Sequence, residues 1–287
     1  MKKIPIRQIN SATTEQVSSE RFTIRDVNRL LGGKDLIHDL HRHDFFFMLA
    51  LQNGQGIHEI DFAPYDVFDN SVFFLRPGQV HQLELKAGCT GYLMEFNTEF
   101  YHPKDKLSAQ RLRKASNKIF CQPEVNRFEK LKRILTYIFQ EYTGREEGYQ
   151  DVIKANLDIF FIEFLRQSLN SKGLSTNINS YTQERLDEFL DLLEIHMATR
   201  KQVSQYTDLM NLSSYQLNEI TKATVGKTAS ELINERIILE AKRYLLATPN
   251  QIKDIADHLG YEDVSYFIRF FRKHIGNSPE AFRHNFG

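Results

Sequence analysis

Ile252-Lys253-Asp254-Ile255-Ala256-Asp257-His258-Leu259-Gly260-Tyr261-Glu262-Asp263-Val264-Ser265-Tyr266-Phe267-Ile268-Arg269-Phe270-Phe271-Arg272-Lys273 holds two short helices and a tight turn. Ile252, Ile255, Ala256 and Leu259 recur at three- and four-residue steps, the spacing of one helix face. Ala256 is small where two helices approach closely. Gly260 can take the left-handed conformation that ends a helix without a Cβ clash. Asp263 is placed to cap the next helix. On that helix Phe267, Phe270, Phe271 and Ile275 share one face, and Ser265, Ile268, Arg269 and Arg272 the other. Arginines on the outer side of a helix after a tight turn suit a major-groove reader, because the guanidinium fork matches guanine O6 and N7 or a phosphate. An αα-hairpin with solvated arginines has the same outline. Past it, Ser278 and Pro279 open a last short helix.

Working outward, a fainter copy lies about 49 residues upstream. Thr207–Leu217 overlays Ala256–Phe267 with one insertion, which implies a duplicated helical unit. Ser213 caps a helix that turns Leu217 and Ile220 inward and Ser214, Tyr215, Asn218, Glu219 and Lys222 outward. Asn can read adenine and Tyr can touch a thymine methyl or a phosphate, whereas Glu219 is repelled by phosphate unless cytosine N4 engages it. Thr228–Thr248 joins the copies and has no Gly or Pro between Glu231 and Leu246. About 21 helical residues span about 31 Å, close to the ~34 Å between half-sites one DNA turn apart.

The first hundred residues have a different texture. From Phe22 to about Phe100, short apolar runs alternate with turn signals such as Gly32-Gly33, Asn53-Gly54 and Pro77-Gly78. Strand-length pieces at this spacing predict an antiparallel sandwich or barrel. His41 to Leu51 is expected as one strand, with His41, His43, Phe45, Phe47, Leu49 and Leu51 on one face. His81, Leu83 and Leu85 share a face on another. A barrel would gather the three histidines, a constellation that suits a divalent metal or a small anionic or polar ligand, or histidines that only hydrogen-bond one another inside a pocket. Beyond Pro103 the period becomes helical: Glu124–Tyr142 and Tyr149–Leu169 are amphipathic.

The whole chain, 287 residues with 41% hydrophobic content, is long enough for two domains and too apolar for wholesale disorder. Its 37 basic and 37 acidic residues exclude a polybasic coat, so any nucleic-acid surface is a local patch. Cys89 and Cys121 form no CxxC pair, which argues against a disulfide framework and for a reducing compartment. Met1–Gln16 lacks the apolar run of a secretory signal, and no stretch reaches the ~18–20 apolar residues of a membrane span. The expectation is a soluble cytoplasmic protein without a membrane partner. Residues 171–180, polar and aperiodic, are expected as a linker.

Residues from about Tyr181 to Phe286 resemble the DNA-binding domain of the AraC/XylS family of bacterial transcription regulators. The resemblance rests on Arg236, Leu239, Ala241-Lys242-Arg243 and Leu245-Leu246, and on Ile252–Ala256, Leu259-Gly260-Tyr261, Ser265-Tyr266-Phe267, Arg269, Phe271-Arg272-Lys273, Gly276 and Ser278–Arg283. It implies base reading by Tyr215, Asn218 and Glu219 in the first unit and by Val264, Ser265 and Arg269 in the second. With their neighbours, the expected DNA-binding set is Ser214, Tyr215, Asn218, Lys222, Val264, Ser265, Tyr266, Arg269, Arg272 and Lys273. The chain departs from the family at Thr207, Asn211, Glu219 and Thr221. His41-Arg42-His43 with Pro77-Gly78-Gln79-Val80-His81 is similar to the cupin-like sensor barrel common in the same family, implying a ligand pocket of His41, His43, Phe45, Phe47 and His81.

The expected protein is an α+β multidomain chain. A cupin-like β-barrel sensor spans 1–105, helices for dimerisation 106–170, and a linker 171–180. An all-α DNA-binding domain of two helix-turn-helix motifs joined by a linker helix spans 181–287. Its partners would be double-stranded DNA, an unidentified small-molecule effector, a second copy in a homodimer, and RNA polymerase if it activates, the family's commoner mode. No cofactor, metal or catalytic residue is expected. Where a cupin metal site adds a Glu, this chain has Phe47 and Met48, so an oxygen ligand is missing. The rivals are a metal-dependent cupin enzyme with a C-terminal docking module and a regulator that needs no ligand.

Overall fold

A computed structural model of the chain describes residues 6, 7, 9, 21–170 and 180–286. The chain divides into two compact units, with the break inside the stretch 171–179. The expected linker therefore lies outside the described residues, except Ser180, which opens a helix.

Two five-stranded sheets build the N-terminal unit. The first pairs β1 (Ile6–Arg7), β3 (Leu36–His43), β8 (Val80–Leu85), β5 (Gly56–Ile60) and β6 (Ala63–Val67) in that order. The second pairs β10 (Phe120–Cys121), β7 (Ser71–Leu75), β4 (Phe46–Asn53), β9 (Thr90–Phe96) and β2 (Phe22–Asp26). All pairings are antiparallel except β1 with β3. A short helix, α1 (Val27–Leu31), follows β2.

His41–Leu51 is not the single strand the alternation predicts. β3 ends at His43 and β4 starts at Phe46, and the two strands belong to different sheets. Phe45 nonetheless stays buried among the same residues as Phe47, Leu49 and Leu51, because the chain crosses between the sheets at the edge of their shared interior.

The second sheet is covered on both sides, which explains its unbroken apolar strands. Phe47, Leu49, Leu51, Phe73, Leu75 and Leu93 face the space between the sheets. Phe46, Met48, Ala50, Val72, Phe74, Met94 and Phe96 face helices α2 (Lys106–Ser116), α3 (Val125–Gly144) and α4 (Tyr149–Asn170). Phe128, Leu131, Leu135 and Ile138 of α3 and Ile153, Leu157, Phe160, Phe161 and Phe164 of α4 complete that core. Val125, the first residue of α3, lies exposed at the end of this apolar face. The helices thus share a core with the sheet, and the 106–170 segment also contributes strand β10 between α2 and α3.

The C-terminal unit is wholly helical: α5 (Ser180–His196), α6 (Val203–Met210), α7 (Ser214–Val225), α8 (Ala229–Ala247), α9 (Ile252–His258), α10 (Val264–Ile275) and α11 (Pro279–Phe286). Among the described residues no helix is long and apolar enough to cross a membrane. Cys89 and Cys121 are both free and buried.

Candidate functional site

Helices α9 and α10 form the second helix-turn-helix. Gly260 sits between them at φ 73°, and a Cβ there would lie 1.7 Å from the Ala198 carbonyl oxygen. Only glycine tolerates both the conformation and the approach. Lys201 Nζ donates to the Ala198 and Gly260 carbonyls and rests over the Tyr261 ring, tying the turn to the segment before α6. Asp263 Oδ1 caps α10 by accepting from Ser265 N at 2.7 Å. Phe267 and Phe271 are buried, whereas Ser265, Tyr266, Arg269, Arg272 and Lys273 are exposed and Val264 is half-buried. Arg269 approaches Asp263 at 3.8 Å with both side chains well solvated, so the guanidinium remains accessible. Arg283, which also belongs to the basic surroundings of this motif in sequence, turns inward: its guanidinium donates to the Leu245 and Asn250 carbonyls. It fastens α11 to the end of α8.

The first motif, α6 and α7, follows the same plan with different chemistry. Asn211 takes the left-handed position, φ 51° and ψ 48°, where the resembled family has Gly. Asn is among the few residues that accept it. Ser213 and Gln216 form a reciprocal capping box at the start of α7. Thr207 and Thr221 are buried, and each donates its hydroxyl to the carbonyl three residues back. Ser214, Tyr215, Glu219 and Lys222 are exposed. Asn218 is half-buried, and its Oδ1 accepts from Ala229 N at 3.0 Å. Reading an adenine edge takes the amide oxygen and nitrogen together. Through its oxygen Asn218 joins α7 to the start of α8.

Between the motifs, α8 has 19 residues and spans about 28 Å, slightly shorter than the sequence suggests. Thr228 and Glu231 cap it reciprocally, and the cap hydrogen bonds hold the Glu231 carboxyl below the usual carboxylate range. Arg236 pairs with Glu194 of α5, and the buried Arg243 pairs with Glu240. Of the two arginines shared with the family's linker-helix pattern, Arg236 thus ties α8 to α5, whereas the Arg243 pair lies within α8 itself.

In the barrel, the expected pocket residues do converge. His41 and His81 face each other across the β3–β8 pair, and His43 lies two residues along the same strand face. All three are buried, and their ring nitrogens come within 4.8 Å of one another. His43 Nε2 lies 2.6 Å from His81 Nε2. The His43 ring stacks on Phe47 and touches Phe45.

Sequence reasoning missed His58. It is fully buried on β5, with Nε2 2.8 Å from His81 Nδ1 and its ring against Phe73. The signal was present in Ile57-His58-Glu59-Ile60, where alternation puts His58 beside the inward Ile60. Burial pushes His58 down to about 3, helped by the neighbouring His41, and holds His81 well below the ordinary imidazole value. Both are neutral at physiological pH. A separate cleft of about 520 Å³ opens at the turns around Asn53, Gln55, Asp69 and Cys89, and none of the expected pocket residues lines it.

Comparison with known proteins agrees with this division. Residues 206–285 match the family model of a helix-turn-helix domain, and residues 32–135 that of an AraC-like ligand binding domain. The HTH-type transcriptional activator RhaS of Enterobacter sp. (strain 638) is 24% identical over 249 residues, covering 85% of this chain and 86% of RhaS. RhaS of Escherichia coli O157:H7 is 25% identical over 250 residues with the same coverage. Among solved structures, ToxT from Vibrio cholerae O395 covers 92% of this chain and 97% of its own, at 14% identity and a TM-score of 0.42. The C-terminal domain of the response regulator yesN from Fusobacterium nucleatum covers 35% of this chain and 98% of its own, at 25% identity and a TM-score of 0.33.

Proposed function

The chain belongs to the AraC/XylS family of bacterial transcription regulators, and from that membership we propose how its residues divide the work. It is a sequence-specific DNA-binding regulator under the control of a small molecule bound in the N-terminal barrel. The reading rests on one observation above all. Helix α10 buries Phe267 and Phe271 and leaves Arg269, Arg272 and Lys273 exposed beyond a tight, capped turn. Arg269 reads a base edge, and Arg272 and Lys273 hold phosphates. In the first motif Ser214, Tyr215 and Lys222 make backbone and methyl contacts, and Asn218 serves the fold.

The regulator activates transcription, as the RhaS relatives are named to do, and an activator of this kind contacts RNA polymerase. It works as a homodimer joined through α3 and α4, on which Tyr137 and Ile159 stand exposed. Dimerisation compensates for the modest basic patch on each C-terminal unit, because affinity for DNA grows with the number of phosphates neutralised. His41, His43, Phe45, Phe47 and His81 line the effector's place in the barrel. Genome-wide footprinting of the tagged chain tests the reading: discrete promoter-proximal sites are expected. Uniform, salt-sensitive coverage without preferred sites would reject sequence-specific control.

A further inference from the structure

We propose that Glu219 determines the specificity of the first motif: its carboxylate accepts from the N4 amino group of a cytosine in the major groove, and its charge makes that motif select sequence at the expense of affinity. The inference rests on the reading of α7 as a DNA-facing helix. It extends that reading to a residue left there without a task, at a position where the chain departs from its family.

The second helices of the two motifs correspond position by position. α7 and α10 each have 12 residues and each follows an N-cap in extended conformation, Ser213 and Asp263. Each ends on a left-handed glycine, Gly226 at φ 74° and Gly276 at φ 86°. Counting from the caps pairs Leu217 with Phe267 and Thr221 with Phe271, all four buried. The same count pairs Glu219 with Arg269, and both are exposed. A carboxylate thus stands where the other helix carries its base-reading guanidinium.

The fold does not use Glu219. Among the described residues it has no hydrogen-bond or ion-pair partner. Lys227, beyond the end of α7, pairs instead with Glu235 of α8 at 2.8 Å. Midway along its helix, Glu219 gains nothing from the partial charge at either helix end.

Toward water an unpaired glutamate is cheap. Toward DNA it is costly, because a carboxylate only accepts hydrogen bonds and is repelled by the phosphates flanking the groove. One base offsets that repulsion. Cytosine presents the N4 donor in the major groove, adenine sets the acceptor N7 beside its N6 donor, and guanine and thymine present acceptors. A lone carboxylate therefore fits cytosine best. The arginines of α10 attract any duplex, whereas Glu219 favours a duplex with cytosine in the right place.

The test uses the full-length chain and a library of random-sequence duplexes, from which bound sites are recovered and read. The wild type is expected to enrich two blocks about one duplex turn apart. One block carries the position that Arg269→Ala relaxes, and the other a cytosine governed by Glu219. Glu219→Ala is expected to lower the preference for that cytosine about 5- to 10-fold and to leave the other positions alone. Glu219→Gln, whose amide suits adenine N6 and N7, is expected to move the preference to adenine. Both variants are expected to bind random duplex more tightly at low salt, with log affinity falling more steeply against log salt, by up to about 0.9 in slope. Glu184→Ala removes the same charge from an exposed place on α5 and is expected to change the slope less and base preference not at all. Far-UV circular dichroism checks that every variant is folded. Unchanged base preference in both Glu219 variants overturns the proposal, whatever happens to affinity. A slope change in Glu184→Ala as large as in Glu219→Ala overturns the part given to its charge. A wild type that enriches no motif sinks the regulator reading and this inference with it. A motif that Arg269→Ala relaxes and the Glu219 variants leave intact keeps the regulator and removes only the role of Glu219.

Discussion

The proposed reading puts most of the sequence recognition on Arg269. It is exposed, projects from the first turns of α10, and is held only loosely by Asp263 at 3.8 Å. Arg269→Ala is expected to weaken specific DNA binding by about 1–3 kcal/mol and to relax preference at one base position, measured by competition footprinting. Asn218 is expected to behave in the opposite way. Its loss leaves the Ala229 amide without a side-chain acceptor, so Asn218→Ala costs about 0.5–1.5 kcal/mol of stability by thermal melting, with base preference unchanged. The buried histidines make the third case. His58 and His81 have folded values below the unfolded imidazole value of 6.5. The unfolded chain therefore binds more protons under acid conditions. Their contribution is fully present above about pH 6.5 and declines as pH falls toward the folded value near 3 for His58, by about 1.4 kcal/mol per pH unit per histidine. Melting of the chelator-treated chain from pH 7.5 to 4.5 is expected to show this loss. His58→Gln is expected to flatten it.

At the scale of elements, the turn between α9 and α10 sets the reading helix. Gly260→Ala places a Cβ against the Ala198 carbonyl at a positive φ. It is expected to destabilise the C-terminal unit by about 1–3 kcal/mol and to reduce DNA affinity at temperatures where the unit is otherwise folded, read by circular dichroism and footprinting together. The turn between α6 and α7 tolerates Asn211 because an Asn backbone accepts the left-handed region. The family departures at Asn211, Thr207 and Thr221 therefore leave this motif's fold intact. Its outer face differs in charge: the exposed Glu219 stands where α10 presents Arg269.

For the whole molecule, the proposal gives the N-terminal unit effector binding and self-association, and the C-terminal unit DNA binding. Deleting residues 1–170 is expected to leave a monomer that binds DNA weakly, with sedimentation giving the mass and footprinting the affinity. A truncated chain that still dimerises would remove the role given to α3 and α4. These helices share one core with the second sheet, so disturbing Phe74 or Phe161, whose rings stack at 5.6 Å, is expected to affect barrel and helices together.

The C-terminal motifs were legible in sequence because their signals are local. A glycine or asparagine at a helix end, an Asp or Ser at the next cap, and apolar residues three or four apart act within a few residues of one another, as Gly260, Asp263 and Phe267 show. The inward faces of His41, His43 and His81 were legible for the same reason. Their assembly was not, because strand pairing joins residues distant along the chain and the short-range alternation is blind to which sheet a strand enters. His41–Leu51 kept its alternation while switching sheets at Asp44-Phe45, and β4 is apolar on both sides because helices cover the face that alternation leaves to solvent. His58 entered the cluster through the pairing of β5 with β8, and Asn218 found the Ala229 amide eleven residues along the chain. In each case an unpaired polar group or an uncovered apolar face found its partner through space.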